Sequence, residues 1–142
     1  MPVNPPGIYP SDEDNFAAPN YGGTLAHKSG YFTYQTAAGA RLFTLPAGAR
    51  ITDHKLEIRT AFDAGSTNPI DLGLGSDADY WFDNAAGGTA AVLRYGDTGS
   101  ILGRCPTYIE EDTDVTVTYS PTGTPATAGQ GYFEITYSMM PS

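Results

Sequence analysis

The sequence predicts an all-β protein: a jelly-roll-like antiparallel β-sandwich preceded by an extended, proline-rich N-terminal arm. Three observations lead there. Seventeen glycines, eleven prolines, ten tyrosines and many threonines outweigh the helix formers, and no window of about twelve residues keeps an apolar stripe at the helical period. Short runs alternate apolar and polar with period two, and Gly, Pro, Asp, Asn or Ser bounds them. The length of 142 residues suits one core, since a chain of this size buries about two thirds of its unfolded surface.

Residues 1–24, MPVNPPGIYPSDEDNFAAPNYGGT, hold five of the eleven prolines and an acidic knot at Asp12, Glu13 and Asp14. Proline fixes φ and gives no ladder donor, so this stretch is read as an arm, and the sandwich domain spans 25–142. Ile8, Tyr9, Phe16 and Tyr21 punctuate it at wide intervals. That spacing fits a segment lying over its own domain or a neighbour.

The strands begin at Tyr31, where Phe32 and Tyr34 alternate with Tyr31, Thr33 and Gln35. RLFTL follows and ends in the turn Leu45-Pro46-Ala47-Gly48. From His54 to Phe62 one face reads His54, Leu56, Ile58, Thr60, Phe62 and the other Lys55, Glu57, Arg59, Ala61. One face is core and the other is wet. Shorter strands are expected at Ile70–Leu74, Tyr80–Phe82, Ala91–Leu93 and Ile101–Leu102, with loop or a turn of helix over 84–89. Val115, Val117, Tyr119 and then Phe133, Ile135, Tyr137 mark two final strands, and the Pro/Gly/Thr linker between them suits a long hairpin loop. Eight or nine short strands favour a jelly roll over an immunoglobulin-like sandwich, whose Cys…Trp…Cys spacing is absent.

Charge narrows the function. Sixteen acids against seven Lys and Arg give a net charge of −9, and the seven are scattered singly, which disfavours direct nucleic-acid contact. No run of 18 apolar residues and no basic-then-apolar leader is present, so the chain reads as free of membrane, unsecreted and made in a cytoplasm. Cys105 is the only cysteine and reads as a packing residue. As a nucleophile it would need His27 or His54 beside it.

The stretch Phe62–Asp83 carries five aspartates: Asp63, Asp71, Asp77, Asp79 and Asp83. Asp77, Asp79 and Asp83 stand at positions one, three and seven of a loop, which suggests calcium. The EF-hand pattern fails, however, with Trp81 at position five and no glutamate at twelve. Glu110, Glu111, Asp112 and Asp114 form a second acidic group. The favoured reading for both is a solvated rim whose aspartates bond nearby backbone, so no metal and no cofactor is expected. Nucleophile-elbow, phosphate-loop, paired-cysteine zinc and His-Glu-x-x-His motifs are all missing. Tyr80-Trp81 suits a core or interface strand better than a sugar-stacking platform.

Four stretches carry a family resemblance: Leu45-Pro-Ala-Gly-Ala-Arg-Ile-Thr-Asp53, Thr60-Ala-Phe-Asp-Ala-Gly65, Ile70-Asp-Leu-Gly-Leu-Gly75 and Thr127-Ala-Gly-Gln-Gly-Tyr-Phe-Glu-Ile-Thr-Tyr137. Over residues 28 to 138 the chain resembles head decoration, or cement, proteins of tailed bacteriophages. The resemblance implies a non-catalytic virion protein on the outer head surface. It would bind the major capsid protein as a homo-oligomer, a trimer rather than a dimer, and brace neighbouring subunits against genome pressure. On that reading the partner contacts come from Ile8, Tyr9, Phe16 and Tyr21 in the arm and from loop edges. The alternative is a carbohydrate-binding or adhesion β-domain of a phage tail or fibre, using Trp81, Tyr80 and loop aspartates with calcium.

Overall fold

The computed structural model describes residues 25–101 and 103–139. The arm expected over residues 1–24, with Ile8, Tyr9, Phe16 and Tyr21, lies outside them, as do Leu102 and residues 140–142. Nine strands follow in chain order: β1 (Leu25–Thr33), β2 (Ala40–Leu45), β3 (Ala49–Thr60), β4 (Pro69–Leu74), β5 (Asp77–Ala86), β6 (Ala91–Arg94), β7 (Thr107–Tyr108), β8 (Thr113–Tyr119) and β9 (Gln130–Met139).

All strand pairs are antiparallel. They form a first sheet in the order β1-β9-β3-β6, with β7 also beside β3, and a second in the order β2-β8-β4-β5. The pairing is nested: β1 with β9, β2 with β8, β3 with β6, β4 with β5. A long hairpin wound over itself pairs in this way, which makes the sandwich a jelly roll.

Several boundaries differ from the sequence reading. β1 starts at Leu25 rather than Tyr31, because its inward positions before Phe32 include the small Ala26 and Gly30, which give little apolar signal. β5 runs on to Ala86 through the expected loop, helped by a bulge opposite β4. There Asn84 takes a positive φ of 56° and its N–H donates to Asp71 Oδ1 at 2.7 Å. Ile101 belongs to no strand, although its N–H donates to the Trp81 carbonyl at 3.1 Å. β8 and β9 alternate as expected but lie in different sheets, so the linker between them crosses the sandwich instead of closing a hairpin. Val115 and Phe133 therefore reach one core from opposite sides.

Strand β3 shows how the core is set. Ile51 and His54 are both buried although three positions apart, because a bulge between Ile51 and Asp53 adds one residue and shifts the phase of the strand. Beyond it, His54, Leu56 and Ile58 point inward as expected. Gly131 of β9 is required by space: a Cβ there would enter the Phe32 ring. Overpacking of this kind costs about 1–3 kcal/mol. Gly131→Ala is expected to lower stability by that amount in urea unfolding, with the strand content retained.

His54 is 1% exposed and ringed by Phe82, Trp81, Tyr95 and Phe133 at centroid distances of 5.2, 5.3, 5.5 and 6.0 Å. Neither ring nitrogen has a hydrogen-bond partner among the described residues, and the same holds for Trp81 Nε1. Burial lowers the His54 pKa from 6.5 to about 4, against a smaller raising effect of the Asp53 charge. The folded state thus holds His54 neutral, and the unfolded chain takes up the proton first as pH falls. Stability is full above pH 6.5 and is lost as pH drops toward 4, by about 3 kcal/mol from this residue. Unfolding measured at pH 7 and pH 4 is expected to show that loss, and His54→Phe to reduce it.

Candidate functional site

The outward residues of the first sheet form four cross-strand rows, fixed by register. Leu25, Arg50 and Tyr108 make the first, in register with the buried Ser138, and His27, Thr136 and Asp53 the second. Ser29, Glu134, Lys55 and Arg94 make the third, and Tyr31, Tyr132, Glu57 and Val92 the fourth. Four of the five exposed large hydrophobics among the described residues lie on this face. Leu25, Tyr31, Tyr108 and Val92 are exposed by 56, 54, 53 and 44%. Arg50, Lys55, Arg59 and Arg94 are four of the chain's seven basic residues, against three of its sixteen acids, Asp53, Glu57 and Glu134. A chain of net charge −9 therefore carries one slightly cationic face.

Its side chains are held in place. Tyr31 and Tyr132 rings sit 4.7 Å apart, and the Arg59 guanidinium lies 5.0 and 4.8 Å from their centroids. Arg59 Nη1 donates to Tyr31 Oη at 2.8 Å, and its Nε lies 3.4 Å from Glu57. Along the next rows Lys55 Nζ is 3.4 Å from Glu134, and His27 Nδ1 is 3.1 Å from Thr136 Oγ1. Ordered tyrosines around an arginine bring large contact area at small entropic cost, the chemistry enriched at protein interfaces. The sequence reading took this phase of β3 as simply wet. Tyr31 and Tyr132, falling on the polar phase of two separate strands, were the signal that this face is aromatic as well as wet.

The aspartates of Phe62–Asp83 and the second acidic group do other work. Asp63 accepts from Thr127 N–H at 2.7 Å, Ala128 N–H at 2.9 Å and Thr127 Oγ1 at 2.9 Å. Those bonds hold its pKa below the usual carboxylate value and tie down the linker that crosses between the sheets. Asp112 accepts from Ala47 N–H and Asp114 from Thr44 Oγ1, at 2.9 and 2.7 Å. Asp79 is pushed up by its hydrogen bond to Asp77, with the charges of Asp77, Asp83 and Asp71 adding to the effect. Among the described residues no group of three or more His, Cys, Asp or Glu is gathered to hold a metal ion.

The remaining candidates are structural. Trp81 is fully buried and offers no sugar platform, and the Tyr80 ring is covered by Arg104 at 4.3 Å. A shallow depression of about 300 Å³, lined by Ser66, Thr67, Asn68, Asn84, Gly87 and their neighbours, holds no titratable side chain. His27 sits on the outer face and His54 in the core, and neither bonds to Cys105. Burial, with the Asp53 charge, pushes the Cys105 thiol up to about 11. At neutral pH iodoacetamide is expected to modify Cys105 about a hundredfold more slowly than an unperturbed thiol. Alkylation at the free-thiol rate would contradict this burial.

No family model matches the sequence, and no curated protein does either. Solved structures do. A chain in the cyanophage Pam1 capsid asymmetric unit is 23% identical with a TM-score of 0.59, over 99% of this chain and 100% of that one. One in the capsid of Ralstonia phage GP4 is 18% identical with a TM-score of 0.61, over 89% and 90%. One in the acidic stable capsid structure of Helicobacter pylori bacteriophage KHP30 is 16% identical with a TM-score of 0.59, over 81% and 87%. At these identities the likeness is one of fold. The resemblance to small phage virion β-domains read from the sequence is met at that level.

Proposed function

We propose that this protein is a non-catalytic structural component of a phage virion that decorates the outer head surface and braces neighbouring major capsid subunits. The observation that carries the reading is the end-to-end match to a capsid chain, 99% of this chain against 100% of the other. The likeness runs along nearly all of this chain rather than over one part of it, which supports this reading.

The geometry supports cohesion through shape and surface. Four strands about 4.8 Å apart and rows spanning about six residues give the outer face roughly 400 Å². A stable interface needs about 800 Å² per partner, so this face alone makes a weak contact. Repetition overcomes that. In this reading the face joins copy to copy, as a trimer, and each oligomer then presents several loop edges to the capsid at once.

Cosedimentation with undecorated, expanded shells tests it. The protein is expected to pellet with shells to a saturable occupancy, and Tyr31→Ala with Arg59→Glu to lower that occupancy while the circular dichroism spectrum is retained. Failure to pellet with any shell contradicts the role.

A further inference from the structure

The outer face of the first sheet has a complement within the same chain. Its end rows carry the apolar and aromatic groups, Leu25 and Tyr108 beside Arg50 at one end and Tyr31, Tyr132 and Val92 beside Glu57 at the other. The cations Lys55 and Arg94 stand between them. Arg50 and Arg94 make no side-chain ion pair among the described residues, whereas Lys55 and Arg59 are each matched by a glutamate. Among the described residues the face thus has two guanidinium groups without a carboxylate partner. At strand rise, the six residues from Leu25 to Tyr31 separate the apolar rows by about 20 Å.

Residues 8–21 read in the same order with opposite charge. Ile8 and Tyr9 precede, Asp12, Glu13 and Asp14 stand in the middle, Phe16 and Tyr21 follow, and residues 1–24 contain no Lys or Arg. Seven residues separate Tyr9 from Phe16, which is about 23 Å at the rise of an extended chain. Apolar anchors therefore match the apolar groups of the end rows in spacing, with carboxylates over the row of Lys55 and Arg94, and Arg50 at the edge nearest the first anchors.

We propose that residues 8–21 of one copy dock across the outer face of the first sheet of a second copy. This deepens the oligomeric reading above and rests on it for bringing copies together. A trimer fits such a contact, because a closed ring of three joins one patch on each copy to a different patch on the next. Arm and face are two such patches. The pairing also opposes the mutual repulsion of subunits that each carry a net charge of −9. Tyr21-Gly22-Gly23-Thr24 immediately precedes Leu25, the first residue of β1 and a member of the first row of the face. About 24 residues of chain are long enough to reach an adjacent copy.

Sedimentation equilibrium without shells tests the contact, using the full chain, a chain lacking residues 1–24, and the full chain with Arg50→Glu and Arg94→Glu. The full chain is expected to self-associate more weakly as salt rises. Truncation is expected to abolish association, and the reversed pair to raise the dissociation constant at least about tenfold, with unchanged circular dichroism. Adding Asp12→Lys and Asp14→Lys to the reversed pair is expected to restore association. A full chain that stays monomeric, association that survives truncation, or a charge swap that fails to rescue would each overturn the proposal. Shell binding is read separately: loss of shell binding with arm-dependent association intact refutes the virion reading and leaves this contact standing.

Discussion

Strand β3 separates two environments less than a side chain apart, and the division of the molecule into core and outer face follows from that alternation. Leu56 and Ile58 point to the second sheet while Lys55, Glu57 and Arg59 point outward, as period two demands. β3 lies between β9 on one side and β6 with β7 on the other, so it aligns every row of the outer face. A register slip by one residue would send guanidinium groups into the core and isoleucines to solvent. The bulge between Ile51 and Asp53 makes one such phase change locally and keeps both Ile51 and His54 inside.

Much of this was legible in the sequence, because period-two patterns report which side of a sheet meets water. His54–Phe62, Val115–Tyr119 and Tyr132–Tyr137 carried strong alternation; the last two are strand segments, whereas the first ends at Thr60, which a bulge after Ile58 leaves exposed although the alternation put it inward. Where the signal was thin the reading fell short. The first half of β1 offers only Ala26, Lys28 and Gly30 inward, and β7 has two residues. The route of the linker after β8 depends on sheet assignment, which alternation alone leaves open. A hairpin and a crossing between sheets demand the same Pro/Gly/Thr composition.

The outer face was harder to find because its members are dispersed. Tyr31, Arg59 and Tyr132 lie far apart in sequence and meet only through the β1–β9–β3 register. The aspartates, by contrast, attract attention in sequence and serve local bonding in the structure. Asp63 holds Thr127 and Ala128, Asp71 holds Asn84, and Asp97 accepts from Arg94 N–H. Clustered residue types drew the eye to the loops, whereas the aromatic and cationic face is assembled from single residues on separate strands.

Cohesion between copies through the first sheet is therefore the centre of the account. Cryo-electron microscopy of shells mixed with the purified protein tests it most directly. The expected density is a cluster of β-sandwiches on the outer shell, each with the β1-β9-β3-β6 face turned to a neighbouring copy. Solitary sandwiches with that face open to solvent, or no added density, would contradict it.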